Sequence, residues 1–233
     1  MEDFIHHLLY GIYPYIALTI LAIGSLIRFD REPFTWRSGS SQLLRRKQLM
    51  VGSVLFHVGV LFIFVGHLVG LLTPIALFDA LGISHGAKQL LAIVAGGIAG
   101  VAAIIGATLL IHRRFFDPRV RAASNFSDNM IILILWVQLA LGLATIPLSA
   151  GHLDGHEMVK FMNWAQGIFT FQGDAASYIA DVHIIFKLHL FLGLTIFVLF
   201  PFTRLVHMLS APVRYLWRGG YQVVRSRKSL SHG

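Results

Sequence analysis

Four histidines are the side chains of this sequence whose type and spacing suggest chemistry. His57 and His67 lie in the apolar stretch FHVGVLFIFVGH, and His189 and His207 lie in KLHLFLGLTIFVLFPFTRLVH. An imidazole inside a segment long enough to cross a bilayer is costly and usually marks a functional site. Because two such segments carry two histidines each, we predict that the four side chains meet in pairs.

The composition is typical of a membrane protein with little mass outside the bilayer. The 233 residues are 56% hydrophobic and 13% charged, with no cysteine. The absence of cysteine excludes disulfides, thiolate-held iron–sulfur clusters and covalently attached c-type haem. The formal charge is +8. In a chain rich in membrane spans, basic residues that set the topology explain this charge more simply than nucleic-acid binding, so we expect no nucleic-acid partner. The N-terminus lacks a basic region and a cleavage site, which predicts no removable signal peptide.

Five segments satisfy the requirement of about 20 mostly apolar residues for a membrane span. They are residues 12–27, 50–72, 89–111, 130–148 and 184–209. We therefore predict an all-α integral membrane protein, a bundle of five transmembrane helices that forms one domain over residues 1–233. The first span is short and contains Pro14, which suits an entry turn at the interface. The fourth span is expected to stop near Pro147, and Pro201 is expected to kink the fifth.

The distribution of Lys and Arg predicts the orientation of the bundle. Six lie between the first two spans, four between the third and fourth, and six from Arg204 to the C-terminus. The opposite side has only Lys88, Lys160 and Lys187. This asymmetry places the N-terminus outside and the basic tail, residues 210–233, in the cytoplasm.

The loop of residues 149–182 is the only long one on the predicted outer side. Its apolar residues recur at spacings of three and four, which is typical of an amphipathic helix lying over the outer ends of the spans. Those residues are Met158, Phe161, Met162, Ala165, Ile168 and Phe169.

In this orientation the second and fifth spans run antiparallel, which pairs His67 with His189 near the outside and His57 with His207 near the cytoplasm. Two imidazoles without a carboxylate or thiolate suit bis-histidine haem b, whereas a zinc site normally recruits four protein ligands. The two histidines of a span are separated by about 15 Å on the second span and about 27 Å on the fifth. Tilt or the kink at Pro201 must absorb that difference.

A haem also needs space between helices and cations for its propionates. Gly59 and Gly66 lie beside the second-span histidines and are candidates for giving a porphyrin room, close helix packing being the alternative. Lys187 and Arg204 lie beside the fifth-span histidines and are candidate propionate partners, snorkelling to the interface being the alternative. Among the remaining histidines, His183 is the least improbable alternative ligand.

Long stretches spread over nearly the whole chain carry a resemblance to a known family. They are IYPYIA, FTWRSGSSQLL, LFHVGVLFIFVGH, GLLTP, AGGIAGV, DPRVRA, LGLATIPLSA, FKLHLFLG and FPFTRLVH. The sequence resembles the gamma subunit of respiratory nitrate reductase, the membrane cytochrome b of that complex. The resemblance implies two haems b, a distal one between His67 and His189 and a proximal one between His57 and His207. This agrees with the pairing from topology.

The resemblance also implies an activity and partners. Quinol would be oxidised near the outer haem with release of protons outside, and electrons would pass from the distal to the proximal haem. An iron–sulfur beta subunit and a molybdenum-containing alpha subunit on the cytoplasmic side of a bacterial inner membrane would use them to reduce nitrate. This chain carries nothing to hold molybdenum or an iron–sulfur cluster. Lys88, at the outer mouth of the third span, is a candidate hydrogen-bond donor to a quinol oxygen.

Three other interpretations remain open for the sequence. One is a cytochrome b subunit of another quinol-linked cytoplasmic reductase. Another is a transporter with a histidine proton relay, although its acids should then line the spans. The third is a structural anchor, which leaves the four histidines unexplained. The acidic residues lie instead at span ends and in loops, among them Asp30, Glu32, Asp79, Asp117, Asp128, Asp154 and Asp181.

Overall fold

Long apolar helices make up most of the fold. The structure, a computed structural model, describes residues 1–36, 44–151 and 153–210. Within these ranges five helices are long and apolar enough to cross a membrane, and they are called the first to fifth spans here: Glu2–Arg31, Arg46–Leu72, His85–Phe116, Phe126–Ala150 and Ile184–Phe202. The predicted all-α architecture of five spans is confirmed. The tail beyond Ser210 lies outside the described residues.

Pro14 does not mark an entry turn, because the first span begins at Glu2 and continues through it. A π-helical turn, Leu8–Ile12, precedes the proline. Proline has no amide hydrogen and cannot donate to the carbonyl four residues earlier, which is that of Tyr10. The Trp164 indole Nε1 donates to this Tyr10 oxygen instead, at 2.9 Å. The proline therefore provides an acceptor for a residue outside the span. The fourth span likewise runs through Pro147 and ends at Ala150.

The predicted helix of the long loop is confirmed as His156–Phe169, called the surface helix here. Met162, Ala165 and Ile168 are buried, whereas Phe169 is 54% exposed. Gln166 Nε2 donates to the carbonyls of Leu71 and Thr73 at 3.1 and 3.0 Å, at the end of the second span. The surface helix therefore covers the ends of the first and second spans.

An ion-pair cluster ties the surface helix to the loop before the fifth span. Lys160 Nζ lies 2.7 Å from Asp181 Oδ2 and 3.0 Å from Glu157 Oε1. The hydrogen bond from Lys160 is the main cause that lowers the pKa of Asp181. Both carboxylates accept from the same ammonium, and their hydrogen bonds raise the pKa of Lys160.

The spans pack as neighbours in the order first, fifth, fourth, third and second. The second and third spans meet along a seam of small residues. A Cβ added at Gly59 would lie 2.6 Å from the carbonyl oxygen of Ala99, and one added at Gly106 would overlap the backbone nitrogen of Phe56. Small residues that bring backbones this close are a common way to join helices in a membrane. The seam thus fixes which face of the second span is turned away from the third.

The fifth span is not the continuous helix that the sequence predicts over 184–209. Its α-helix ends at Leu199, a 3₁₀ turn follows at Phe200–Phe202, and Thr203 is extended before a second 3₁₀ turn, Arg204–Met208. Proline in a helix removes a hydrogen bond and clashes with the preceding turn, so Pro201 breaks this helix rather than bending it.

Short elements complete the described structure. They are the helices Ile75–Ala80 and Pro118–Ala122 and the 3₁₀ turns Pro33–Thr35 and Ala175–Ile179. The buried apolar residues form two clusters, one under the surface helix and one at the broken end of the fifth span. The first cluster contains Trp164, Ala165, Ile168, Ile179 and Leu194. The second contains Ile131, Ile196, Phe200, Leu205 and Val206.

Candidate functional site

The structure brings the four histidines together in the two pairs that topology predicts. The imidazole centroids of His67 and His189 are 6.2 Å apart, with ring planes inclined by 45°. Those of His57 and His207 are 6.1 Å apart, inclined by 72°. One member of each pair comes from the second span and the other from the fifth span or the turn that follows it. The molecule therefore has two similar histidine pairs along one pair of spans.

The two pairs lie at matching depths because the α-helix of the fifth span, counted from His189, rises as far as the stretch of the second span between His57 and His67. His57 and His67 are ten residues apart, and ten residues also separate His189 from the last α-helical residue, Leu199. Ten residues rise about 15 Å in either helix. The remaining residues up to His207 turn the chain back instead of extending it. This break removes the mismatch that a continuous helix would create.

Arg28 of the first span holds the broken end of the fifth. Its Nη1 donates to the carbonyl oxygens of Pro201 and Thr203 at 2.7 and 2.8 Å. Both carbonyls lie just after the α-helix, in the broken segment where helical donors have run out. Gly24 leaves room for the proline ring, because a Cβ at this position would lie 2.9 Å from Pro201 Cγ. In the sequence Arg28 is one of the six basic residues counted between the first two spans, and this role was not predicted.

The two glycines proposed to make room differ in their surroundings. Gly59 is buried against Ala99 and Ala103 of the third span, so the helix seam accounts for a glycine here. A Cβ added at Gly66 would meet no described atom within 4 Å. His57 and His67 are themselves exposed on the second span, away from the seam. Gly66, next to His67, is exposed and contacts no other described element, so the predicted clearance for a porphyrin now rests on Gly66.

Three of the histidines have their Nδ1 atoms bound to backbone carbonyls. Nδ1 of His57 lies 2.7 Å from Ser53 O, and that of His67 lies 2.9 Å from Ile63 O. Nδ1 of His207 bonds to Arg204 O. A carbonyl oxygen can only accept, so the proton must lie on Nδ1. The Nε2 lone pair is then free to bind a metal, and the second hydrogen bond orients the ring.

His189 has a different partner, Gln138 of the fourth span. Gln138 Nε2 donates to the His189 carbonyl at 3.1 Å and lies 3.5 Å from the imidazole Nε2. Gly142, one turn later, lets the ring approach, because its Cβ would lie 3.0 Å from His189 Cε1. Neither residue was predicted from the sequence. An amide within an otherwise apolar span was the available signal.

These donor sets fit a b-type haem. Two imidazoles that bind one metal through Nε2, at about 2 Å each, have ring centroids roughly 6 Å apart. The observed separations of 6.1 and 6.2 Å match this. In His57, His67 and His207 the proton on Nδ1 leaves Nε2 available to a metal, and the space beside Gly66 is open. His57 and His207 could hold one haem, and His67 and His189 the other.

Lys88 lies beneath the surface helix instead of opening to the outside. Its side chain is 7% exposed, its Nζ is 2.6 Å from the Met162 sulfur, and it lies 3.9 Å from the centroid of the Phe78 ring. In the described part of the chain no carboxylate forms an ion pair with it. A buried ammonium whose neighbours are a thioether and an aromatic face is poorly compensated, a feature common at functional sites.

The other predicted residues have identified contacts. Lys187 Nζ donates to Ala180 O at 2.6 Å. Arg204 forms an ion pair with Asp128 at 3.5 Å, and Arg114 reaches the same carboxylate oxygen at 3.8 Å. His183 accepts from the amide of Ile185 and so caps the fifth span, which gives it a structural role.

Comparison with known proteins decides the family. The family model described as nitrate reductase gamma subunit matches residues 6–227. The chain belongs to the nitrate reductase gamma subunit family. It is 50% identical to the respiratory nitrate reductase 1 gamma chain of Escherichia coli (strain K12), over 97% of this chain and 99% of that one.

Two further gamma subunits support this assignment. The respiratory nitrate reductase 2 gamma chain of Escherichia coli (strain K12) is 49% identical, over 98% of this chain and all of its own length. The nitrate reductase gamma chain of Bacillus subtilis (strain 168) is 40% identical, over 94% of this chain and 98% of its own. Membership of this family makes the chain a multi-pass membrane subunit of a multi-subunit oxidoreductase.

Arg28→Ala should destabilise the broken end of the fifth span. It leaves two carbonyls without their charged donor, and such a bond contributes about 1.5–3 kcal/mol. We expect a lower thermal unfolding midpoint in detergent than for Arg31→Ala, which removes a charge from the same helix end. Equal midpoints for the two variants would contradict the role given to Arg28.

Proposed function

We propose that this gamma subunit is the membrane cytochrome b of a respiratory nitrate reductase, which oxidises quinol and delivers the electrons to the cytoplasmic side. The observation that carries the proposal is the presence of two imidazole pairs, at centroid distances of 6.1 and 6.2 Å, at two depths of one membrane bundle. The orientation follows from the basic connections, with the His67–His189 pair outside. Bis-histidine haem b, when bound at both pairs, supplies one-electron chemistry across the membrane.

The four histidines hold and orient the cofactors in this proposal. Nε2 of each imidazole is the ligand atom, and the carbonyls of Ser53, Ile63 and Arg204 hold three of the rings through Nδ1. Lys187 lies two residues before His189 and Arg204 three before His207, so both remain candidates for propionate binding. The contact of Lys187 with Ala180 O and that of Arg204 with Asp128 would have to be shared or exchanged.

Lys88 is the proposed quinol-binding residue. The surface helix connects it to the outer pair, since Met162 touches Lys88 and Gln166, one turn later, bonds Leu71 O just beyond His67. Quinol gives up two electrons and two protons when it becomes quinone. The Lys88 ammonium would donate a hydrogen bond to a quinol oxygen and stabilise the negative charge that remains after its proton departs.

The partners follow from the same orientation. Electrons that reach the His57–His207 end leave the membrane on the cytoplasmic side, where an iron–sulfur beta subunit would accept them. A molybdenum-containing alpha subunit would then reduce nitrate, and the complex would lie in the bacterial inner membrane. The Escherichia coli relatives are named as gamma chains of respiratory nitrate reductases, which supports this assembly.

Haem content tests the proposed ligands. We expect purified protein to show a reducible b-type spectrum with two haems per chain, and His67→Ala to retain only the inner one because its ligand pair stays intact. His183→Ala is the matched control and should keep both, since it only caps a helix. A pyridine haemochrome assay of each variant gives the count. No b-type band in the unmodified protein, or two haems in His67→Ala, contradicts the proposal.

Lys88→Met should separate quinol oxidation from haem binding. Loss of a hydrogen bond from a charged donor, about 1.5–3 kcal/mol, corresponds to a decrease of about tenfold or more. We expect quinol-driven reduction of the haems to slow by that factor, while dithionite still reduces both. Stopped-flow absorbance measures the rate, with Lys160→Ala as a control for loss of an outer positive charge. An unchanged rate would remove Lys88 from the quinol site.

A further inference from the structure

His189 and Gln138 each bury a polar atom without a partner. In the part of the chain that the structure describes, neither His189 Nδ1 nor Gln138 Oε1 has a hydrogen bond. Burying a polar group without a partner costs about 1–3 kcal/mol. Here two such groups lie on residues that already touch, through Gln138 Nε2 and the His189 carbonyl at 3.1 Å. One of them can donate and the other can only accept.

The surrounding glycines keep this contact close. A Cβ added at Gly193 on the fifth span would lie 3.3 Å from Gln138 Nε2, and one added at Gly142 would lie 3.0 Å from His189 Cε1. Each span therefore has a glycine where the other span's polar side chain arrives. The three other histidines have an Nδ1 bond to a carbonyl of their own helix or turn. His189 alone of the four relies on a side chain of a neighbouring span.

We propose that Gln138 is the positioning residue of His189, and that its amide oxygen accepts the Nδ1 proton when His189 Nε2 binds the outer haem. With Nε2 committed to iron, the imidazole proton must lie on Nδ1, in a buried position. Gln138 Oε1 is the unpartnered acceptor on the adjacent span. Pairing the two requires both the His189 ring and the Gln138 amide to turn, because Gln138 Nε2 now lies 3.5 Å from His189 Nε2 and 3.1 Å from the His189 carbonyl oxygen. This inference rests on the proposed function, because it requires a haem between His67 and His189.

The proposed bond has a consequence for the outer haem alone. An acceptor on Nδ1–H makes the imidazole a more basic ligand, which favours the oxidised iron and lowers the reduction potential. An amide side chain is removable by mutation, whereas a backbone carbonyl is not. Residue 138 is therefore a position at which the outer potential can be changed separately from the inner one.

Two substitutions at position 138 test the inference. Gln138→Met keeps the length of the side chain and removes the acceptor, so the midpoint potential of the outer haem should rise. Gln138→Glu keeps the shape and strengthens the acceptor, so the same midpoint should fall. Spectroelectrochemical titration measures both haems, and the inner haem should not change in either variant. Thr195→Val is the control, because that hydroxyl contacts Phe191 O and Tyr13 and does not contact His189.

The outcomes separate this inference from the proposed function. An outer midpoint that is the same in Gln138→Met, Gln138→Glu and the unmodified protein overturns the role of Gln138, while two intact haems leave the proposed function standing. If Gln138→Met loses the outer haem, Gln138→Glu decides: retention with a lower midpoint supports the inference, and loss or an unchanged midpoint overturns it. Absence of haem from the unmodified protein refutes the proposed function itself.

Discussion

Equal helical rise on two facing spans is the constraint on which both histidine pairs depend. His57 and His67 are ten residues apart on an unbroken helix, so their partners must lie at depths that differ by about 15 Å. The fifth span meets this requirement only because its α-helix ends at Leu199 and the chain then turns. Had the helix continued, His207 would lie roughly 12 Å beyond His57. The break is therefore part of the site.

The other spans can be understood by how they hold these two in place. The third span fixes the second through a seam of small residues, which leaves the histidine face free. The first span supplies Arg28 to the broken end of the fifth, and at its other end Pro14 frees the Tyr10 carbonyl for Trp164. The surface helix joins the ends of the first and second spans and buries Lys88. The bonds from Arg28, Trp164 and Gln166 satisfy backbone carbonyls that the bilayer could not.

The sequence predicted the spans and both histidine pairs because hydropathy and charge act over long segments. A span needs only apolar length, and the pairing needs only antiparallel direction. The break after Leu199 was not predictable, since a proline can bend a helix or end it, and the carbonyls of the broken segment are held by Arg28 of a different span. The surroundings of Gly59 and the contact of Gln138 with His189 depend on how helices rotate about their axes. Charge counting contains no information on that rotation.

Iron-edge anomalous diffraction from crystals of the assembled complex would locate the iron atoms themselves. We expect two iron peaks within this subunit, one between the imidazoles of His57 and His207 and the other between those of His67 and His189. A single peak, or an iron bound to a histidine outside these four, would contradict this expectation.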